Sequence, residues 1–241
     1  MKNEIEQTNV SKVVGVVFEA PKKSHEIEGE SFYELVLEVR RLSDTYDYIP
    51  VTISERSLKG TEIQKGDEIG VEGEFRSYNK LENEKSKLIL HVFAKEVYFG
   101  DEIDCLGSNS NEVNLTGFVC KDPVYRVTPF KREICDVLIA VNRRNGKSDY
   151  IPCIFWGRNA KYMEAQPVGT KINIEGRIQS RVYTKKHDDG SVEERTAYEI
   201  SVSRLKNLDE ADSSSLKTDA YREYMDFSSR EHFQDDKALG K

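Results

Sequence analysis

Between Val113 and Ser203, apolar residues fall on every second position in a series of short runs divided by polar stretches. Val113, Leu115, Gly117 and Val119 make one run, Val137, Ile139 and Val141 the next, and Ile151, Cys153 and Phe155 a third. Ile172, Ile174, Ile178 and Val182 make the fourth, and a fifth spans Thr196 to Ser203. A period of two predicts half-buried β-strands. Gly157 to Ala165 is too long for a hairpin and carries Ala160, Met163 and Ala165, which predicts a short helix between the third and fourth strands. Lys185 to Gly190 holds Asp-Asp-Gly, a turn signal joining the fourth strand to the fifth. Strand, strand, strand, helix, strand, strand is the order of an OB-fold. This is a small five-stranded Greek-key barrel whose common ligands are oligonucleotides and oligosaccharides.

The same pattern occurs earlier in the chain. Asp47-Tyr-Ile-Pro50 returns as Asp149-Tyr-Ile-Pro152, 102 residues later, and that offset also pairs Gly15 with Gly117 and Leu35, Leu37 and Val39 with Val137, Ile139 and Val141. Beyond the shared tetrapeptide the offset grows by one, so that Gly66 meets Gly169 and Glu72-Gly73 meets Glu175-Gly176; one inserted loop residue accounts for it. In the first repeat the strands are expected near Val13–Phe18, Phe32–Arg40, Tyr48–Ile53, Glu68–Tyr78 and Lys87–Tyr98. The fold class is therefore all-β: two tandem OB-folds at 9–99 and 111–206, a linker at 100–110 and a tail at 207–241.

Charge separates the repeats. Residues 111–206 carry 17 basic against 12 acidic side chains, residues 9–99 carry 13 against 17, and linker and tail are both acidic. A basic domain inside a chain of net charge −7 is the asymmetry expected when one part meets a polyanion. No run of 18 apolar residues is present, so no membrane span is expected. Met1 to Thr8 lacks the apolar core of a secretory signal, and the expected location is the cytoplasm. Cys105, Cys120, Cys135 and Cys153 lie far apart with no Cys-x-x-Cys pair; they read as reduced thiols, mostly buried, with neither a zinc site nor a disulfide framework. The acidic cluster Asp188, Asp189, Glu193 and Glu194 reads as a solvated turn, and no metal or cofactor is expected.

Several motifs of the second repeat carry a family resemblance. Asn111-Glu-Val-Asn-Leu-Thr-Gly117, Asp122-Pro123, Ala140-Val-Asn-Arg-Arg144, Asp149-Tyr-Ile-Pro152, Trp156-Gly157 and Ile174-Glu-Gly-Arg-Ile-Gln-Ser-Arg181 with Tyr183 together resemble bacterial single-stranded DNA-binding proteins. The first repeat resembles them more weakly, with Ser54-Glu55 in place of Trp156-Gly157, as a diverged duplicate would. The resemblance implies sequence-tolerant binding of single-stranded DNA, with aromatics at Tyr150, Trp156 and Tyr183 stacking on bases. Single-domain members assemble four barrels, so a homodimer of this two-barrel chain is expected. Their usual acidic tip, closing on proline and phenylalanine, recruits replication and repair partners; this chain ends Gln234-Asp-Asp-Lys-Ala-Leu-Gly-Lys241 instead. Tyr221, Tyr224 and Met225 lie at helical spacing after Thr218, so the tail reads either as a short amphipathic helix docking on a partner or on the chain's own barrels, or as disordered.

Strand parity supports the binding reading without the family. Tyr150 and Trp156 differ by six residues and share a face, while Ile151, Cys153 and Phe155 take the other. With Ile172, Ile174, Ile178 and Val182 inward, Arg177, Gln179, Arg181 and Tyr183 share the outer face, and Arg143, Arg144, Lys147, Lys185 and Lys186 lie in loops. Aromatics among cations suit single strands, because bases stack whatever their identity while cations follow the phosphates. The first repeat keeps Tyr48, Arg76 and Tyr78 but has Glu74 in place of Arg177, and is expected to bind more weakly or to serve in subunit contact. Two other readings stand beside this one: an adaptor like the primosomal relatives of the family, and a single-strand RNA binder. An enzyme ranks last, because the four histidines are scattered and no phosphate-cradling glycine loop or paired metal carboxylates occur.

Overall fold

The computed structural model describes residues 8–82, 85–186 and 190–209; the tail with its expected helix lies outside them. The first barrel comprises β1 (Asn9–Ile27), β2 (Glu30–Arg40), β3 (Tyr46–Ser54), β4 (Glu68–Glu82) and β5 (Lys85–Phe99). Strand β1 pairs with both β2 and β4, and β3 runs parallel to β5, which closes the ring β1-β2-β3-β5-β4. A single 3-10 turn, Glu55–Leu58, stands in the helix position. The second barrel repeats the ring with β6 (Asn111–Val119), β8 (Glu133–Asn142), β9 (Ser148–Trp156), β10 (Lys171–Lys186) and β11 (Val192–Asp209). Its helix α1 (Arg158–Glu164) buries Ala160 and Met163 against the barrel. The chain is thus two tandem OB-folds, and all the inward positions named above except Val182 are buried.

An additional strand, β7 (Val124–Val127), pairs with β8. Its four half-exposed residues carry no alternation, so the sequence pattern does not disclose it. Val182 is a second departure, being 59% exposed where the alternation places it in the core. From Arg181 onward β10 and β11 continue as a two-stranded arm beyond the barrel, so both faces meet solvent and parity no longer implies burial. The glycines that set the repeat register mark close approaches between strands. A Cβ on Gly117 would lie 2.6 Å from the Ala140 carbonyl oxygen, and one on Gly176 2.5 Å from that of Ser201. Gly15 and Gly73 meet the matching obstacles in the first barrel. Cys120, Cys135 and Cys153 are buried free thiols and Cys105 is exposed; burial pushes the Cys120 thiol up to about 12. Among the described residues no helix is long and apolar enough to cross a membrane.

The two barrels share one sheet, because β1 and β6 pair antiparallel with Ser11 opposite Val113. Those two residues are themselves related by the 102-residue offset, so an approximate two-fold axis passes between them. The doubled Asp-Tyr-Ile-Pro motif straddles this axis as a pair of reciprocal clamps. The buried Asp47 carboxylate of the first barrel accepts hydrogen bonds from the Ser180 N–H (2.7 Å), Arg41 Nε (2.8 Å) and Arg177 Nη1 (2.9 Å), and Arg41 Nη2 donates to the Ser180 carbonyl (3.0 Å). The buried Asp149 carboxylate of the second accepts from the Ser77 N–H (2.6 Å) and Arg143 Nε (2.7 Å), and Arg143 Nη2 donates to the Ser77 carbonyl (2.9 Å). The Tyr48 and Tyr150 N–H groups complete the clamps on Ser180 Oγ and Ser77 Oγ.

Candidate nucleic-acid interface

On β9 the inward set Ile151, Cys153 and Phe155 is buried, leaving Tyr150, Pro152 and Trp156 half-buried on the outer face. Tyr150 packs against Cys120, Leu138 and Ala140. The Trp156 indole is held by its Nε1–H, which donates to Ser201 Oγ on β11 at 3.1 Å. One side of it borders an open cleft lined by Val127, Lys131, Arg132, Glu133 and Gly157. At the tip of the β7–β8 turn Phe130 is 87% exposed, next to Lys131, whose φ is +59°. Lys161 neutralises Glu133 through a 2.7 Å ion pair, which leaves Lys131 and Arg132 to set the sign of this cleft.

Phe130, Lys131 and Arg132 do not figure among the residues expected from the sequence. The signal that would have found them is an aromatic followed by two cations in a turn, but the nearness of Lys131 and Arg132 to Trp156 follows from β8 pairing with β9.

The expected residues divide into three groups. Arg144 is exposed in the β8–β9 turn, and Tyr183 sits on the β10–β11 arm with the Arg181 guanidinium 5.8 Å from its ring centre. Lys185 and Lys186 lie further along the same arm, paired with Glu193 and Val192 across it. Arg143 and Arg177 instead belong to the inter-barrel clamps. The hydrogen bonds that Arg143 donates to Asp149 raise its pKa; burial lowers that of Arg177, against the pull of Asp47 and with the push of Arg41. Parity put Arg177 on the outer face and Arg143 was expected in a loop, and neither reading could show that the other barrel meets them.

The third group belongs to the first barrel. Tyr48 donates its hydroxyl to Glu38 at 2.9 Å and meets Phe18 edge to face, with ring centres 4.8 Å apart. Arg76 bonds Glu74 and covers the Phe93 ring at 3.9 Å. Burial alone would raise the Glu74 carboxyl, but the hydrogen bonds from Lys95 and Arg76 outweigh it and its pKa falls. Tyr78 meets His91 edge to face, and a ring run continues through His91 and Phe93 to Phe32 and His25. Tyr48 and Tyr78 keep 36% and 41% of their surface exposed despite these contacts, and Trp156 of the second barrel borders an open cleft. Among the described residues no cluster of His, Cys, Asp and Glu suits a metal ion; Asp188 and Asp189 lie outside them.

Comparison with known proteins matches residues 110–208 to the single-strand binding protein family. The chain is 34% identical over 80 residues to single-stranded DNA-binding protein B of Bacillus subtilis, covering 30% of this chain and 71% of that one. It is 36% identical over 81 residues to a single-stranded DNA-binding protein of Oceanobacillus iheyensis, covering 30% and 48%. For the Deinococcus radiodurans single-stranded DNA-binding protein the match is 28% over 174 residues, covering 64% and 55%, and so it reaches into both repeats. The chain spans about half the length of most of these curated relatives. Among solved structures, the wild-type single-stranded DNA-binding protein of Thermus aquaticus superposes with a TM-score of 0.62 at 21% identity, over 83% of this chain and 92% of that one.

Proposed function

Because the chain belongs to the single-strand binding protein family, we propose that it binds single-stranded DNA with little regard to sequence, chiefly through the second barrel. By doing so it shields strands exposed in replication, recombination, repair or DNA transfer. The observation that carries this reading is Trp156. It is a half-buried indole fixed at one edge by Ser201, bordering an open cleft beside Lys131 and Arg132. Such a ring offers a π-face at little entropic cost, and base stacking on it contributes about 1 to 3 kcal/mol per base. Lys131, Arg132, Arg144 and Arg181 supply positive charge along the same barrel, and neutralised phosphates release counterions. In the first barrel Arg76 lies over the Phe93 ring and is held by Glu74, which supports the weaker role expected for it.

Titration with oligo(dT) while following the fluorescence of Trp156, the chain's single tryptophan, tests the proposal directly. Strong quenching whose affinity falls steeply with added salt is expected. Unchanged emission at saturating oligonucleotide would remove Trp156 from the interface, and a salt-independent affinity would remove the phosphate contacts.

A further inference from the structure

The β8–β9 turn reads Arg143-Arg-Asn-Gly-Lys147, and its Asn145 is the one asparagine of the sequence that a glycine follows. The Arg143 N–H donates to the Lys147 carbonyl at 2.8 Å and the Gly146 N–H to the Arg143 carbonyl at 3.2 Å, with Gly146 at φ +78°. We infer that this turn is a site of spontaneous deamidation. Water converts Asn145 into aspartate or isoaspartate without an enzyme, and the new carboxylate takes one cation out of the nucleic-acid face. That loss of a cation rests on the reading that Arg144 meets the phosphates of bound single-stranded DNA.

The Gly146 nitrogen, once it has given up its proton, attacks Asn145 Cγ. The new N–Cγ bond closes a cyclic imide and the Cγ–Nδ2 bond breaks, releasing ammonia. Water then opens the imide at either carbonyl, which leaves aspartate or, with the main chain rerouted through Cγ, isoaspartate. The geometry of the turn suits each step. Gly146 has no side chain to obstruct the approach, and a Cβ built there would meet nothing within 4 Å, so water reaches the ring as well. Asn145 Oδ1 accepts the Lys147 N–H at 3.2 Å, which folds the carboxamide over the turn and polarises the carbonyl under attack. The bond that must open, from the Gly146 N–H, is at the long end of the usual range and lies in an exposed turn. Exposed Arg144 and Lys147 flank the site, and positive charge favours the deprotonated nitrogen and the anionic intermediate.

The repeat supplies an internal comparison. At the 102-residue offset Asn145 and Gly146 correspond to Ser43 and Asp44 of the β2–β3 turn, which has no amide to lose and already carries a carboxylate, bonded to Arg40 at 3.3 Å. Asn9 and Asn111, by contrast, are tied down, each bonding both the N–H and the carbonyl of one residue, Phe75 and Ile178, and each is followed by a residue with a side chain. Deamidation is thereby directed to the cationic barrel and moves its turn toward the charge of the acidic one. The isoaspartate form also lengthens the main chain by a methylene inside a turn closed by the Arg143–Lys147 bond. Arg143 is the side chain that clamps Asp149 and the Ser77 carbonyl, so that form loosens the tie between the barrels.

The test incubates the folded full chain at mildly alkaline pH beside Asn145→Gln, whose longer side chain closes a ring far more slowly, and weighs the turn peptide of each by mass spectrometry. The wild-type peptide should gain about one dalton and separate into aspartate and isoaspartate forms of equal mass, while the Asn145→Gln peptide keeps its mass. Asn145→Asp, made directly, isolates the effect of charge. Each phosphate contact on a single strand contributes about 0.7 to the slope of log K against log salt, so with oligo(dT) Asn145→Asp should lose about 0.7 from that slope while Asn145→Gln keeps the wild-type value. A wild-type turn peptide that stays unconverted in the folded chain overturns the inference. A wild-type slope for Asn145→Asp overturns it too, because the new carboxylate then takes no cation from the DNA. If the wild type binds no oligo(dT), the functional reading falls and the lost cation with it, whereas the mass spectra still decide the modification site.

Discussion

Replacing Asp149 by alanine removes a carboxylate that is only 1% exposed and that ties the second barrel to the first. The Ser77 N–H, now bonded to Asp149 at 2.6 Å inside the interface, is left without that acceptor, a loss of about 1 to 3 kcal/mol. Arg143 keeps its bond to the Ser77 carbonyl but loses its counter-ion. Breaking a fully buried ion pair costs about 3 to 5 kcal/mol; the Arg143 side chain is partly reached by water, which places this one at the low end. The two effects overlap, and the expected cost is about 3 kcal/mol, a large share of the roughly 5 to 15 kcal/mol that stabilises a typical domain. Urea unfolding should be followed by two signals: Trp156 fluorescence, which reports the second barrel, and far-UV circular dichroism, which reports both. In the wild type the curves should coincide; in Asp149→Ala they should separate, because the clamp couples the barrels. The double variant Asp149→Ala/Arg143→Ala should be less destabilised than the sum of its single changes by about 1 to 3 kcal/mol. A cost below 1 kcal/mol, or additive single changes, would refute the clamp as an energetic coupling.

Asp47→Ala should cost more than Asp149→Ala, since it strands Arg177 as well as Arg41, and the same urea curves will rank them. His91 is mostly buried beside Thr52, and burial together with Arg76 and Arg143 lowers its pKa to about 4. The unfolded chain binds that proton from about pH 6.5 downward while the folded chain does not, so stability should fall by up to about 3 kcal/mol between pH 6.5 and 4. Urea midpoints for wild type and His91→Gln across that range check it, and parallel curves would remove His91 as the cause. Trp156→Ala and Phe130→Ala should each weaken oligo(dT) binding by about 1 to 3 kcal/mol in fluorescence anisotropy without lowering the urea midpoint; loss of folding in Trp156→Ala would make that side chain structural. Gly117→Val should unfold the second barrel, because a Cβ there lies 2.5 Å from Ile139 Cγ2, and a native circular dichroism spectrum would contradict this. Light scattering on the full chain should give twice its 27.7 kDa, the mass of a dimer with four barrels; the monomer mass would dismiss the pairing.

The physics of alternation explains what was legible along the chain. Side chains on a strand point to opposite faces in turn, so Ile151, Cys153 and Phe155 announce a core face wherever the strand ends up. The duplicated Asp-Tyr-Ile-Pro motif and matched glycines declared two copies of one barrel, because a close strand crossing such as that of Gly117 on Ala140 tolerates no side chain. Parity likewise placed Tyr150 and Trp156 on the outer face. It could not tell solvent from a neighbouring domain, since an outward residue is defined only relative to its own barrel. That is why Arg177 turns out to face the other barrel; Val182, assigned to the core by its period, fails for a separate reason, because its strand runs on past the barrel.

Fold class, repeat and the cationic character of the second half were thus determined by the sequence alone, since each depends on residues close together in the chain or on composition. The tertiary structure decided what depends on residues some 66 to 139 positions apart. It turned the duplicated aspartates into reciprocal clamps and, over a shorter separation in the chain, set Lys131 and Arg132 beside Trp156. Hydrogen bonds and charge act over a few ångströms of space, and only the folded chain brings such distant residues within that range.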